Sequence, residues 1–533
     1  MSPNQRLIVA VLLSVVFFVG YTAIFPPEQP EVVEATKTTQ SVVLKDKTVA
    51  STPTNSDLEA VAGHKIAAVE QNSNASTILT VTNKNFILKM DTLGRISSKE
   101  LKEEKFRDKE NNHAQLIPAL GTKPLYLRFM DETLNAEAAS VAYVASVNEV
   151  NIDGTPKTVT LTQKLSSLTV LKKLTFYADG HYDVDISLSK DKRYFVYLGS
   201  RPHVNEKEQM MAAVGALVYT NDDIVTIIED GDVDARQSFT DVGLIASFDQ
   251  YTASIMYNLG KDRNIIIERD RDDNPVVYFD GMQNIKFNGY IGAKEFAVLE
   301  SIDPVLTNAV EYGWFTFASK PLFALLSWLY GIFGNWGWSI IALTAIVRLV
   351  LYPLTYKGMV SMQKMKDLAP KMKELKERYK GDPQRLNQAT MDMYKKHGAN
   401  PLGGCLPMLL QIPVFFAIYR VFLNAVELQG APWILWINDL SRMDPYYVLP
   451  VLMGGSMFLQ QRMTPNNFTD PMQEKVMKYL PVIFTFFFVT FPSGLVLYWF
   501  VNNLFSIAQQ FIVNQQFKNA KDAQAAIKSK KEK

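Results

Sequence analysis

The chain has 533 residues, of which 47% are hydrophobic and 20% are charged. This composition excludes a disordered or collagen-like chain, and the single cysteine, Cys405, excludes an intramolecular disulfide framework and a multi-cysteine metal cluster. The net charge of +1 hides a partition, because residues 26–337 sum to −11 and the remainder to +12. Together with five long apolar stretches, this partition predicts a membrane protein with one large soluble domain.

The N-terminal residues 1–25 are predicted to form an uncleaved membrane anchor. Arg6 precedes an uncharged run of 19 residues, 7–25, which as a helix reaches about 28 Å, close to the hydrocarbon thickness of a bilayer. Residues 21–25 offer no good signal-peptidase site, which requires small residues at fixed positions. The Pro-, Thr- and Glu-rich residues 26–76 that follow are predicted to be a flexible linker.

Residues 77–305 are predicted to form a large antiparallel β-sandwich. Two alternating segments, 171–178 and 181–188, are joined at Asp179-Gly180 as expected of a β-hairpin. Further strands are predicted at 158–162, 223–228, 243–248, 264–268, 275–279 and 295–299. No long amphipathic pattern separates these segments, so the sandwich is the simplest arrangement.

The C-terminal half is predicted to contain most of the membrane-spanning helices. Within the connecting residues 306–337, the segment 321–333 is too short to span a bilayer and is rich in aromatic residues, which predicts a helix along the membrane surface. The predicted spans are 338–356, 402–425, 446–461, 479–491 and 494–513, and with the anchor they make six. Pro492 and Gly494 predict the turn between the last two.

Loop charges predict the orientation of these spans. The cytoplasmic candidate 357–398 has 11 Lys and Arg against 5 Asp and Glu, and the tail 514–533 has 6 against 2. By contrast, residues 426–446 have one Arg against three acids. The positive-inside rule therefore predicts that both termini, 357–398 and 462–478 are cytoplasmic, and that the β domain and the loop 426–445 are outside, in the periplasm of a Gram-negative cell.

Two predicted spans are short for a bilayer of roughly 30 Å. Residues 446–461 cover about 24 Å as a helix, and residues 480–491 about 18 Å. Either each helix extends beyond its apolar run, or the bilayer is locally thinner beside these helices.

Arg348 is the leading candidate for a functional residue within the membrane. It lies about 13–15 Å from either end of the predicted span 338–356, and a mid-bilayer Arg costs about 2.5–3.5 kcal/mol on insertion scales, so it should face water or protein. The other predicted spans contain no Asp or Glu for a buried ion pair. Polar side chains in those spans either line a hydrophilic groove with Arg348 or hydrogen-bond between helices; they are Gln411, Asn424, Gln460, Gln461, Asn502, Asn503, Ser506 and Gln509.

The loop 357–398 is predicted to be a basic helical hairpin. Apolar side chains recur at three- and four-residue spacing before Gly381-Asp382-Pro383, and again until Gly398 ends the second helix. The candidates for a docking surface are Met362, Met365, Met372, Leu375 and Met393. The hairpin is either self-packed, or a mobile surface whose Met side chains accept varied apolar partners.

The sequence offers no catalytic candidates. It lacks a phosphate-binding Gly loop, a His-containing metal motif and a nucleophile elbow, so neither an enzyme nor a cofactor, metal or DNA partner is predicted. The basic residues 528–533 either contact ribosomal RNA or anionic lipid, or form an unstructured solubilising tail.

Several motifs in the second half carry a family resemblance. They are Ile346-Val347-Arg348, Tyr352-Pro353-Leu354, Asn400-Pro401-Leu402-Gly403-Gly404-Cys405, Gln411-Ile412-Pro413, Asp444-Pro445-Tyr446-Tyr447, Asp470-Pro471-Met472-Gln473 and Phe491-Pro492-Ser493-Gly494-Leu495-Val496-Leu497-Tyr498-Trp499. In order and topology, residues 338–513 resemble the YidC-type membrane protein insertases. The anchor and the large outer β domain resemble the Gram-negative branch of that family.

The resemblance implies a five-helix insertase core with a groove open to the cytoplasm and to lipid, and a periplasmic β-supersandwich. Groove positions of the family match Arg348, Gln411 and Trp499, and we add Thr344, Asn502 and Ser506 as groove candidates. The implied partners are nascent inner-membrane proteins and the Sec translocon, with the ribosome, the signal-recognition-particle pathway and anionic lipids as further candidates. The competing function is an ion-coupled solute transporter, for which an intramembrane acid and internal repeats are expected.

Overall fold

The structure is a computed structural model that describes residues 75–107, 112–202, 212–260, 263–310, 316–398, 401–463 and 471–531. The predicted anchor 1–25 and most of the linker 26–76 lie outside the described residues. The chain divides into two compact units. The β unit contains the described residues up to Gly292 together with Ile302–Ala309, and the helical unit contains Ala293–Ser301 and the described residues from Val310 onward.

The described strands of the β unit, β1 to β19 in chain order, form three sheets. The first has the order β4-β3-β2-β1-β7, with β1 (Thr77–Thr82), β2 (Phe86–Asp91), β3 (Ile96–Leu101), β4 (Ala114–Gln115) and β7 (Glu149–Asn151). The second has the order β13-β12-β15-β16-β19-β10-β9-β8-β6, with β6 (Val144–Ala145), β8 (Lys157–Lys164), β9 (Thr169–Phe176), β10 (His181–Leu188), β12 (Gly215–Thr220), β13 (Val225–Glu229), β15 (Val242–Phe248), β16 (Thr252–Tyr257) and β19 (Ile285–Ala293). The third has the order β14-β17-β18-β11-β5, with β5 (Leu127–Phe129), β11 (Arg193–Tyr197), β14 (Gln237–Phe239), β17 (Ile265–Arg269) and β18 (Pro275–Met282).

The hairpin predicted at Asp179-Gly180 is confirmed. Strands β9 and β10 pair antiparallel, and their connection includes Gly180 at a φ of 94°, a backbone conformation that glycine adopts without steric cost. Side chains of β10 alternate between buried and half-buried along its whole length, which is the pattern of a strand with one face on the core. Strands β1 and β7 pair in parallel and depart from the all-antiparallel expectation.

Buried polar side chains join the three sheets. Lys172 of β9 donates from Nζ to the carbonyl oxygens of Gly94 and Leu125, each at 2.8 Å. In the reverse direction, Lys99 of β3 donates to the carbonyl oxygen of Gly180 at the β9–β10 turn (3.1 Å). Ser247 of β15 donates to the carbonyl oxygen of Gly199, just after β11 (3.0 Å). The sheets therefore share one interior, and every one of these buried donors has an acceptor.

The strand predicted at 295–299 is wrong, because residues Phe296–Ile302 form the helix α2. The Phe296 ring lies 5.6 Å from that of Phe323 in the helical unit, and Leu299, three positions later, is fully buried. An apolar pattern of only five residues is compatible with a strand and with a short helix. Tertiary contacts therefore decided that this segment is helical. The other short helix, α1 (Glu132–Ala138), interrupts the β unit.

The sequence analysis does not predict several of the observed strands. They are β1 to β7, β11, β12, β14, β16 and β19. All six side chains of β16 are buried, so that strand has no polar face and shows no alternation. Doubly buried strands read as short continuous apolar runs, which periodicity does not assign.

The helical unit is formed by long apolar helices and a polar hairpin. Its further helices are α3 (Thr316–Phe333), α4 (Trp336–Asp367), α5 (Ala369–Arg378), α6 (Pro383–His397), α7 (Pro401–Asn424), α8 (Val448–Met463), α9 (Pro471–Phe488) and α10 (Ser493–Lys531). By length and composition, two segments of the described residues are long and apolar enough to cross a membrane, Trp336–Asp367 and Ser493–Asn519. Helix α4 packs against α3, α7 and α10, and α8 packs against α9 and α10.

The helices extend beyond most of the predicted spans. Helix α4 continues past residue 356 to Asp367, and α10 continues past residue 513 to Lys531. Helix α9 begins at Pro471, so its 18 residues reach about 27 Å. Helix α8 has 16 residues and remains near 24 Å. Helix extension therefore accounts for the short fifth span but not for the fourth.

Candidate functional site

Arg348 lies at the contact between α4 and α10, where its guanidinium group binds neutral oxygen atoms. Its Nε donates to Asn502 Oδ1 (2.6 Å), and its Nη2 donates to the carbonyl oxygen of Asn502 (3.0 Å) and to Ser506 Oγ. Asn502 and Ser506 are four residues apart and therefore lie on one face of α10. The side chain of Arg348 is half-buried, while the next residue, Leu349, is exposed. Within the described part of the chain, the charge of Arg348 is thus positioned by hydrogen bonds and is not neutralised by a salt bridge.

A row of further hydrogen bonds continues along the same helix pair. Gln509 Nε2 donates to Thr355 Oγ1 (2.8 Å), and the Tyr356 hydroxyl donates to Gln516 Oε1 (2.9 Å). Thr355 follows Arg348 by seven residues, so two helical turns separate the two contacts on one face of α4. We call these contacts, from Arg348 through Thr355 to Tyr356, the polar row. They hold the two helices in a fixed register.

The candidate groove residues fall into separate environments. Thr344 is fully buried, and its hydroxyl donates to the carbonyl oxygen of Ile340 in its own helix (2.7 Å). Trp499 lies one turn before Asn502 and packs among aromatic rings, with ring-centroid distances of 4.6 Å to Phe415 and 5.1 Å to Phe488. Gln411 is half-buried on α7. The structure therefore brings together Arg348, Asn502 and Ser506, and it gives Thr344, Trp499 and Gln411 other surroundings.

The polar side chains of α10 bond mainly to neighbouring helices. Asn503 is buried and donates from Nδ2 to Ser456 Oγ of α8 (3.0 Å). Gln509 bonds to α4 in the polar row. Interhelical hydrogen bonding, the simpler of the two alternatives for these side chains, is what the structure shows for Asn502, Asn503, Ser506 and Gln509.

Two residues of this region are not among the predicted site residues. Thr355 is one of them, although its spacing of seven residues from Arg348 places it on the same helical face. Arg420, a second cation within the predicted span 402–425, is the other. It lies one turn before the end of α7 and is half-buried, so it sits near the end of a helix rather than at its middle.

The hairpin of α5 and α6 is self-packed. Leu368 and Met393 are buried, and Met365, Met372, Leu375 and Tyr394 pack against them. Met362 is half-buried on α4. Most of the side chains considered for docking therefore fill the interior between the hairpin helices, and Met391 is the exposed methionine of α6.

The ends of α6 follow the signals seen in the sequence. Asp382 Oδ1 accepts from the Arg385 amide (3.0 Å), which satisfies one free donor of the first turn, and Pro383 occupies the first position. Gly398 ends the helix at a φ of 59°. His397 in the last turn lies between the carbonyl oxygen of Met393 (2.8 Å) and Lys371 Nζ of α5 (3.0 Å). The hairpin is thus capped at its turn and at its end.

Known proteins match this chain over both units. A family model described as 60Kd inner membrane protein matches residues 328–521, and one described as YidC periplasmic domain matches residues 78–325. A protein of Wolinella succinogenes named Membrane protein insertase YidC is 48% identical over 529 residues, covering 99% of this chain and 97% of its own length. Proteins of the same name from Campylobacter jejuni (47% over 516 residues, 96% of each chain) and Helicobacter pylori (42% over 556 residues, 99% of each chain) are also similar.

These matches extend over almost the whole chain, at identities that leave no ambiguity about common descent. The resemblance seen in the motifs of residues 338–513 is confirmed, and the match of residues 78–325 assigns the β unit to the periplasmic domain of the same family. The chain therefore belongs to the YidC family of membrane protein insertases.

Proposed function

We propose that this insertase moves hydrophobic segments of nascent inner-membrane proteins from the cytoplasm into the bilayer and chaperones their folding, alone or with the Sec translocon. The observation that supports the proposal is the environment of Arg348. Asn502 and Ser506 fix its guanidinium group without neutralising it, and the side chain remains partly exposed. A fixed positive charge at the middle of an apolar helix is costly for stability alone, so it marks a functional site.

In the first step, Arg348 attracts the acidic flank of an entering segment. Two unit charges 4 Å apart attract each other by about 1 kcal/mol in water and about 4 kcal/mol near a protein surface. Because its hydrogen-bond acceptors are neutral, Arg348 retains its full charge for the client. In this proposal the half-buried Gln411 and Trp499 line the path of the entering segment. The buried Thr344 stabilises α4 and does not contact the client.

In the second step, the apolar segment moves into lipid along α7 and α9, the third and fifth predicted spans. Both helices present exposed apolar side chains, including Ile412 and Phe416 on α7 and Val482 and Phe486 on α9. Each buried Leu, Ile, Val or Phe contributes about −0.3 to −0.6 kcal/mol. The membrane potential adds about 2.3 kcal/mol per 100 mV for each acidic charge that crosses outward.

The remaining parts of the proposal concern topology and partners. The chain has six transmembrane helices, five of which form the core, with both termini cytoplasmic and the β unit a periplasmic β-supersandwich. The charge of the loop 357–398 and the tail 514–533 supports this orientation. The basic hairpin first receives the nascent segment, and the ribosome, the signal-recognition-particle pathway and anionic lipids are partners of the cytoplasmic face.

Reconstitution of the purified full chain into liposomes tests this function. Two single-span clients are compared by protease protection, one with an acidic translocated flank and one with that flank made neutral. We expect wild type to insert both, and Arg348→Ala to insert the acidic client about fivefold less well while the neutral client changes little, since fivefold corresponds to about 1 kcal/mol. Arg348→Lys retains the charge and should be intermediate.

The outcomes separate the parts of the proposal. Equal yields of both clients with Arg348→Ala would remove the role of Arg348 and leave the insertase function intact. Ion-coupled uptake of a solute by the same liposomes, without insertion of either client, would replace insertion by transport.

A further inference from the structure

The loop between α7 and α8, residues 425–447, is a compact structure with its own interior. Leu428, Ile437 and Leu440 are fully or almost fully buried. Backbone hydrogen bonds cross the loop from the amide of Leu440 to the carbonyl oxygen of Ala431 (3.0 Å) and from the amide of Trp433 to the carbonyl oxygen of Ile437 (2.9 Å). These contacts hold the backbone of the loop in a defined conformation.

The acidic side chains of this loop are satisfied within the helical unit. Glu427 accepts from the amide of Phe296 (3.0 Å). Asp444 is buried and accepts from Trp436 Nε1 (2.9 Å) and from the amide of Leu449 (2.7 Å). Asp439 forms an ion pair with Arg442 (3.1 Å). The carboxylates of the loop therefore form hydrogen bonds and an ion pair within the helical unit, and they do not form a charged outer surface.

The tip of the loop exposes an apolar side chain on a rigid turn. The amide of Ile437 donates to the carbonyl oxygen of Ile434 (3.1 Å), and Leu435, between them, is 79% exposed. Leu435 has a φ of 55°, in the left-handed region where glycine and asparagine are usual and a leucine is uncommon. With this exposure, its side chain has little contact with the protein interior.

The loop also carries exposed aromatic residues. Tyr446 is exposed, and its ring lies 6.3 Å from that of Trp436. Tyr447 and Met443 are exposed beside it. Tyr and Trp concentrate where a membrane meets water, because they combine an apolar ring with a polar group.

Contacts within the helical unit fix the height of the tip relative to α4. Asn335, the residue that caps the start of α4, donates from Nδ2 to the carbonyl oxygen of Pro432 (3.0 Å). The rings of Trp338 and Trp433 lie 5.8 Å apart. The loop therefore lies at the end of a helix that is long and apolar enough to span a membrane.

We propose that the tip of this loop, centred on Leu435, inserts into the outer leaflet of the bilayer, at the boundary between headgroups and acyl chains. This inference rests on one part of the proposed function, namely that α4 spans the membrane. An exposed leucine beside an aromatic rim, with the nearby carboxylates bonded internally, matches the chemistry of that boundary. The loop then anchors the outer ends of α4, α7 and α8 at a fixed depth.

The test uses the full chain without its native cysteine, Cys405→Ala, and with one new cysteine, Leu435→Cys. The matched control is Leu120→Cys, since Leu120 is a leucine of the β unit with a similar exposure of 75%. Each cysteine is labelled with an environment-sensitive fluorophore, and the protein is reconstituted into phosphatidylcholine–phosphatidylglycerol vesicles. Quenching is measured with nitroxide-labelled lipids, and with iodide present on both sides of the membrane.

We expect the label at residue 435 to emit at a shorter wavelength, and to be quenched at least threefold more by a shallow nitroxide lipid than the label at residue 120. Iodide should quench the two in the opposite order. Equal iodide quenching at both positions would overturn the proposal. Protection at residue 435 from both quenchers would also overturn it, because a protein and not lipid would then cover the tip.

Two further measurements keep the outcome clear. Met443→Cys, on the exposed rim, repeats the test if the Leu435 variant does not fold. Client insertion is measured on the same vesicles: insertion with a water-exposed tip rejects this inference alone, whereas a lipid-exposed tip without insertion rejects the proposed function alone.

Discussion

At the scale of single residues, two buried lysines are predicted to make the stability of the β unit depend on pH. Lys99 Nζ lies 4.3 Å from the centre of the Phe86 ring, and Lys172 Nζ lies 4.8 Å from that of Tyr143. Loss of water on burial lowers the pKa of each to about 7, against the weaker attraction of Asp179 for Lys99. The unfolded pKa is near 10.5, so folding favours the neutral form of both side chains.

The free energy of unfolding of the β unit should therefore rise with pH. Between about pH 7 and pH 10.5 the unfolded chain binds more protons than the folded one, so stability increases by up to about 1.4 kcal/mol per pH unit for each lysine, and it is flat below about pH 6. Pulse proteolysis of the full chain in urea, from pH 6 to pH 9.5, measures this slope through the β-unit fragments.

The matched variant carries both Lys99→Met and Lys172→Met. Its stability should change little over the same interval, because its side chains do not titrate. A slope as steep in the variant as in wild type would show that other groups control the response.

Asn502 is predicted to act through Arg348 as a positioning residue. Asn502→Asp places a carboxylate against the guanidinium group and neutralises it, so insertion of a client with an acidic flank should fall about as far as in Arg348→Ala, roughly fivefold. The neighbouring Asn503→Ala removes a bond to Ser456 on α8 and leaves Arg348 untouched. Protease protection with acidic and neutral clients measures both variants.

A purely structural role of Asn502 would give a different result. Insertion of the acidic and the neutral client would then fall equally in Asn502→Asp. Only the charge-based role predicts a loss confined to the acidic client.

At the scale of elements, the hairpin of α5 and α6 is expected to depend on its internal methionines. Met393→Ala opens a cavity between the helices and should destabilise the hairpin by about 2 kcal/mol. Met391→Ala, on the same helix but exposed, should stay within about 0.5 kcal/mol of wild type. Hydrogen exchange of residues 369–397 in the full chain measures the difference.

The same pair of variants distinguishes packing from docking. If client capture uses exposed methionines of this hairpin, Met391→Ala lowers insertion without faster exchange. If Met393→Ala lowers insertion while hydrogen exchange is unchanged, the contribution of Met393 to insertion does not come from packing within the hairpin.

At the scale of the whole molecule, the partition of charge predicts the orientation in the membrane. The β unit belongs to the segment 26–337 with a charge of −11, and the loop 357–397 carries +6. In a Cys405→Ala background, Leu120→Cys should react with an impermeant maleimide in intact spheroplasts. Lys380→Cys, exposed near the hairpin turn, should react only after permeabilisation.

The reverse labelling pattern would invert the orientation. Labelling of both positions in intact spheroplasts would indicate leakage, which a cytoplasmic marker protein excludes as a control. Quantitative labelling at Leu120 alone is the outcome that agrees with the charge partition.

Much of this protein follows from local patterns in its sequence. The hairpin at Asp179-Gly180, the cap at Asp382 and the end at Gly398 depend on residues close together in the chain, and the structure has all three. The long apolar runs and the charged loops likewise predict a membrane protein with an outer domain, and the motifs around Arg348 and Trp499 predict its family. Such features are readable because period, charge and turn chemistry act over a few residues.

Tertiary structure alone decided the partners of polar side chains that bond between helices or between sheets. Arg348 and Asn502 are 154 residues apart, and their contact depends on how two helices face each other, which no local pattern encodes. The same holds for Phe296, whose helix follows from contacts with the helical unit, and for Lys172, whose two acceptors lie beside strands of the first and the third sheet. Burial of a side chain is a property of the assembled fold, so the sequence indicated that Arg348 needs partners but not which oxygen atoms supply them.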